Sequence, residues 1–340
     1  MLAPIQIRWF LWLLSALPVF CAGVIRAETA DDYFRRGLAR QTSGDLDGAI
    51  AAYSQAIALR PDRAEPLVNR GNARLDKGDF DGAAADYERA IAVNPRLAQA
   101  FHNRGRLKVA HGDLDGAITD FDRAVALDPR LDVAFAQRAR AEIGKGEYAR
   151  AIVDCNKAIA LNPKFAFAYS NRGEARAKKG DIDGAIADYN RAIELEPKVS
   201  QGYADRGMTK FVIKRDYKGA LADLDKAIEL NPASAEAYSN RGIVKWTIGD
   251  SKGAIIDCDS AIQLGLNHAA DYLNRGNARQ DVGDFDGALV DANKAIELDP
   301  RFAFAYQSRA NIRRQLGDLD GARADADKAL ELQAPAPPRR

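Results

Sequence analysis

The chain is poor in the residues that most often carry chemistry. Its 340 residues include three cysteines, three histidines, two methionines and three tryptophans. The cysteines and histidines stand far apart, with no group at metal-ligand spacing, so neither a disulfide framework nor a metal centre is expected. His102, His111 and His268 have no companion nucleophile or carboxylate arrangement that would suggest a catalytic set. Excess charge of one sign is missing too: 49 Lys+Arg stand against 48 Asp+Glu. That is far from the basic balance of a nucleic-acid binder. Glycine is plentiful at 27 residues but never forms a phosphate-cradling loop signature, and no cofactor is expected. What the chain does have is apolar residues, 47% of the total, enough to bury a core.

Acidic residues are absent from positions 1–27, and Arg8 is the only basic residue ahead of an apolar stretch from Trp9 to Ile25. Pro18 interrupts that stretch and Arg26 closes it. A short n-region, an apolar h-region and small residues before Glu28 read as a secretory signal peptide, cut after Ala27 or after Gly23. The expected location is therefore periplasmic or secreted. The alternative is a membrane anchor formed by residues 9–25, a length at the lower limit for crossing a bilayer.

From Ala30 onward the chain repeats itself. Gly37, Gly71, Gly105, Gly173 and Gly207 recur at multiples of 34, with Ala139 in the missing slot, followed by Gly242, Gly276 and Ala310. Pro61, Pro95, Pro129, Pro163 and Pro197 keep the same step. Nine copies follow: 30–63, 64–97, 98–131, 132–165, 166–199, 200–234, 235–268, 269–302 and 303–333. In the fifth, Tyr169, Gly173, Ala185, Tyr189, Ala192 and Pro197 mark the pattern. A 34-residue period with these residues resembles the tetratricopeptide repeat family. That resemblance implies an all-α, right-handed superhelical solenoid whose concave wall holds a peptide or partner protein.

Local physics points the same way. Each copy reads as two helices joined by Gly-Asp, as at Gly44-Asp45 or Gly180-Asp181. Glycine supplies the left-handed residue that ends the first helix, and aspartate caps the second. The second helix carries an apolar stripe such as Ile182, Ile186, Tyr189 and Ile193. Position 21 of the copy, usually Ile or Leu, becomes Arg323 in the last one, as an outer face requires when nothing stacks on it. Residues 334–340, rich in proline, read as a disordered tail. Two copies depart from the pattern: the sixth has an extra residue at Lys214-Arg215, and the seventh ends in Gly265-Leu266 where Pro is expected.

At 100° per residue, positions 2, 5, 6, 9 and 13 of the first helix face away from the second. Position 6 carries Asn69, Asn103, Asn171, Asn240 and Asn274, and position 9 carries Asn72, Asn277 and Asn311. Asparagine both donates and accepts, so this row suits a partner's backbone amides. Phe167 and Phe304 at position 2 add apolar contact. Trp246 and Phe211, at position 12, border the packing face and read as packing residues. Cys155 and Cys258 share position 24, a core slot held by Tyr or Phe in four other copies, and read as small buried hydrophobes.

Position 7 is arginine in every copy: Arg36, Arg70, Arg104, Arg138, Arg172, Arg206, Arg241, Arg275 and Arg309. Such a row could track a polyanion or nucleic acid. Position 23, however, is acidic in eight copies: Asp86, Asp120, Asp154, Asp188, Asp223, Asp257, Asp291 and Asp325. Opposite charges at two fixed positions predict a ladder of structural ion pairs instead. The expected function is an interaction scaffold for a protein or peptide, not an enzyme, with the polyanion reading as the alternative.

Overall fold

The computed structural model describes residues 28–333. The signal peptide or anchor and the proline-rich tail expected from the sequence lie outside the described residues. Those described form eighteen α-helices and no strand, and none of the helices is long and apolar enough to cross a membrane.

The chain divides into two compact units, ending and beginning at Asn103 and Arg104. The first holds α1 (Ala30–Thr42), α2 (Leu46–Leu59), α3 (Glu65–Asp76), α4 (Phe80–Val93) and the start of α5 (Ala98–Ala110). The second takes the rest of α5, α6 (Leu114–Leu127), α7 (Asp132–Gly144), α8 (Tyr148–Leu161), α9 (Ala166–Lys179) and α10 (Ile182–Leu195). It continues with α11 (Ser200–Thr209), α12 (Tyr217–Leu230), α13 (Ala235–Thr247), α14 (Ser251–Gln263), α15 (Ala269–Asp281) and α16 (Phe285–Leu298). α17 (Ala303–Gln315) and α18 (Leu319–Gln333) complete it. Within each unit, odd helices pack on the even helix that follows, and even helices on the next odd one. This is nearest-neighbour stacking, in which each helix pair covers the apolar face of the next.

Eight of the nine second helices start at an aspartate cap. Asp181, for example, accepts from the Gly184 N–H at 3.1 Å, and Asp284 from Gly287 at 2.9 Å. The exception is α8, where Glu147 makes no side-chain cap bond. The turn before the cap needs a positive φ, supplied by Gly180 at 87°. In the sixth copy Arg215 takes this place at φ 53°, the one non-glycine residue with positive φ among those described. The extra residue there is absorbed as a π-helical turn over Lys210–Lys214. The Asp216 N–H accordingly reaches six residues back to the Lys210 carbonyl, where Asp181 reaches five back to Arg176.

Where position 24 carries an aromatic ring, close approach within the pair depends on glycine at position 8. A Cβ on Gly173 would lie 2.9 Å from the Tyr189 ring, and on Gly105 2.8 Å from Phe121. Where position 8 is Ala139, position 24 is Cys155; where it is Ala310, position 24 is Ala326. The small side chain on one helix makes room for the extra methyl on the other.

Candidate interaction surface

The arginine row is committed to the fold. Eight guanidinium groups, from Arg70 to Arg309, hold the position-23 aspartate of their own copy in bidentate pairs with N–O distances of 2.5–3.0 Å. The carboxylates are buried, Asp291 almost completely. In the first copy position 23 is Ala52, and Arg36 pairs with Glu28 instead. Seven of the arginines also donate from Nη1 to position 25 of the preceding copy: Ser54, Asp122, Asn156, Asn190, Asp225, Asp259 and Asn293. Each of these arginines therefore ties two copies together. Its guanidinium also lies 5.3–5.6 Å from the position-4 ring in copies four to nine, as Arg172 does over Tyr169. The hydrogen bond to Asp154 raises Arg138 above the ordinary guanidinium range, and that to Asp188 does the same for Arg172. The position-25 acceptors escaped the sequence reading, although Ser, Asp or Asn recurs there and would have been the signal.

The asparagines divide into two groups. Asn103 is buried and donates to Asn72 Oδ1 at 2.8 Å, which also accepts from the Tyr87 hydroxyl at 2.8 Å. Asn171 is buried and donates to the Ala136 carbonyl on α7 at 3.0 Å. Asn277 accepts from Ser308 at 2.8 Å, and Asn311 from Arg314 at 3.3 Å. These five link copies or brace their own helix. Asn69, Asn240 and Asn274 are partly buried on the corresponding face of α3, α13 and α15.

A cleft of about 870 Å³ lies in the second unit between α9 and α11, with α10 as its floor. Positions 2, 5, 6, 9 and 13 of α9 (Phe167, Ser170, Asn171, Glu174 and Lys178) line one wall. Gln201, Asp205 and Met208 of α11 line the other, and the π-helical turn adds Val212 and Ile213, which are 63% and 45% exposed. Arg140 pairs with Glu174 at one end, and Glu236 stands at the other. Asp205 receives a 2.8 Å bond from Gln201, yet burial pushes its carboxyl up to about 6. The cleft thus pairs an apolar strip with an acidic side. Phe304 is exposed on α17, outside this cleft. Phe211 packs against the core around Leu224, and Trp246 Nε1 donates to Asp281 on the next first helix at 2.7 Å.

No group of three His, Cys, Asp or Glu among the described residues is placed to hold a metal. Burial pushes the Cys155 and Cys258 thiols up to about 12, so neither is a ready nucleophile at neutral pH.

Stacked pairs of short helices, with arginines tying one copy to the next and a cleft between two first helices, define a helical repeat protein. Family models described as tetratricopeptide repeat match residues 68–132, 166–199 and 273–337, and one described as TPR repeat matches 37–75, 139–180 and 210–249. The chain belongs to the tetratricopeptide repeat family. A search of curated proteins finds no match. Among solved structures, a tetratricopeptide repeat protein from Parabacteroides merdae matches at 21% identity and a TM-score of 0.60, over 73% of this chain and 98% of that one. A chain of the Cut9–Hcn1 hetero-tetramer of APC/C matches at 17% and 0.64, over 89% and 60%. The PilF protein of Pseudomonas aeruginosa matches at 17% and 0.55, over 59% and 91%. At these identities the likeness establishes the fold alone.

Proposed function

We propose that the chain is an exported scaffold that holds an extended segment of a partner protein in the α9–α11 cleft. The observation that carries this reading is the cleft itself. Its walls expose Phe167, Met208, Val212 and Ile213 beside the Asp205 and Glu236 carboxylates, between two first helices and above α10. Tetratricopeptide repeats generally engage protein partners, which supports the class, and the acidic side favours a segment with apolar and basic residues. Export rests on the apolar N-terminal segment ahead of Arg26. The polyanion reading has little support, because each arginine of the row is already held by a carboxylate.

Selection of peptides from a random display library tests the reading. Selected peptides are expected to combine apolar and basic residues and to lose affinity for Phe167→Ala and Val212→Ser. Peptides that bind both variants as tightly as the parent would refute the cleft. Selection of acidic peptides whose affinity falls steeply with salt would restore the polyanion reading.

A further inference from the structure

Copy four breaks the charge ladder at one buried position. In seven other copies position 11 is Lys or Arg, with its terminal nitrogen 2.7–2.9 Å from the position-23 aspartate: Arg74, Lys108, Arg176, Lys210, Lys245, Arg279 and Arg313. Five of these also donate to the carbonyl of position 19 at 3.1–3.4 Å. Copy four carries Glu142 instead. Its side chain is 2% exposed, and Oε2 has no hydrogen-bond partner. Oε1 lies 3.2 Å from Nε of Arg150, itself 57% exposed. Beside them is a cavity of about 420 Å³ bounded by Arg138, Glu142, Ala149, Arg150, Val153 and Asp154. It shares no lining residue with the α9–α11 cleft.

We propose that this cavity is a receptor for a primary ammonium group brought by a ligand, seated where the other copies place their own position-11 nitrogen. Three acceptors suit the three N–H donors of an ammonium: Glu142 Oε2, Asp154 Oδ2 and the Arg150 carbonyl, the position-19 equivalent. Asp154 Oδ2 has one donor here, Arg138 Nε at 2.5 Å, where its counterparts have two. A metal ion is a poor match, since no three-ligand group exists there among the described residues. Burial and the neighbouring Asp154 charge push the Glu142 carboxyl up to about 7, so an arriving cation relieves a repulsion already present. The chemistry is shared by a partner's lysine side chain and by a free polyamine.

The test follows the Glu142 carboxyl by carbon-13 NMR in the full chain labelled at glutamate, assigned with Glu142→Gln. Nα-acetyl-lysine methylamide, spermidine, tetramethylammonium and potassium chloride are compared at equal ionic strength. The two primary amines should lower the Glu142 titration midpoint by at least tenfold in proton affinity, saturably, whereas tetramethylammonium and potassium should not. Tighter binding of the lysine amide assigns a partner side chain, and tighter binding of spermidine a free amine. Glu142→Lys, which restores the usual rung, should melt higher than the parent and be insensitive to either amine. An unmoved midpoint, or equal effects of all four salts, would show that Arg150 alone closes the site and would overturn the proposal.

Discussion

Copies four and five are consecutive, carry the same bidentate arginine–aspartate pair, and solve the surrounding problem in opposite ways. In copy five Asp188 is held by two cations, Arg172 and Arg176, and Gly173 lies under the Tyr189 ring. In copy four Asp154 has one cation and an acidic neighbour, Glu142, with Arg150 moved to position 19. Its position-8 residue is Ala139, matched by the small Cys155. The contrast shows which features the fold requires. The pair between positions 7 and 23 is kept in copies two to nine, and alanine at position 8 goes with a small residue at position 24, whereas the sign of the charge at position 11 is free to change when position 19 compensates.

The largest effect should come from breaking the pair in the regular copy. Asp188→Ala leaves two partly buried cations without their carboxylate and is expected to cost about 3–5 kcal/mol. Asp154→Ala should cost less than half as much, because Arg138 keeps Asp122 and the repulsion on Glu142 disappears. Urea titration of the two variants compares them directly; equal losses would mean that position 11 contributes nothing.

Next in size is the volume match. Gly173→Ala drives a methyl to 2.9 Å from the Tyr189 ring, and overpacking of this kind costs about 1–3 kcal/mol. Combining it with Tyr189→Cys recreates the copy-four arrangement and should recover part of the loss. Additive losses in thermal melts would contradict the matching rule.

The pH response should separate the copies as well. Glu142 titrates near 7 in the folded chain against an ordinary value of 4.5. Between those two values the unfolded chain gives up this proton while the folded chain keeps it, so the Glu142 contribution falls as pH rises from about 4.5 to 7 and is flat above. Glu142→Gln should therefore gain on the parent across that interval, read as the difference in melting temperature at pH 5 and pH 8. An unchanged difference would show that Glu142 is ionised throughout.

Smallest is the strained turn of copy six. Arg215→Gly removes a left-handed arginine and should stabilise by about 1 kcal/mol or less, since glycine gives back entropy in the unfolded chain. A loss of stability would mean that the Arg215 side chain does more than fill the turn.

Much of this was legible in the sequence, because repetition turns a weak signal into a periodic one. The nine-fold period, the aspartate caps and the helical pairing all follow from residues such as Gly180, Asp181 and Pro197 recurring in register. Position 7 and position 23 could be paired because their charges recur with opposite sign. Other features were not legible. Whether Asn171 faces a partner or the Ala136 carbonyl depends on how closely two first helices approach, and no periodicity encodes that distance. The extra residue of copy six was visible, but its absorption as a π-helical turn that exposes Val212 and Ile213 was not. Glu142 was overlooked because one acidic residue in a charged helix stands out only once the buried partners of its seven counterparts are known.

The division of labour between ladder and cleft is tested most directly by one measurement. A peptide selected on the parent chain is titrated against Phe167→Ala and Arg172→Ala by calorimetry, at a temperature where both variants are folded. Phe167→Ala should weaken binding at least tenfold, while Arg172→Ala, although less stable, should bind within about twofold of the parent. The reverse pattern, with binding lost in Arg172→Ala and kept in Phe167→Ala, would make the arginine row the binding surface and contradict its role as a structural ladder.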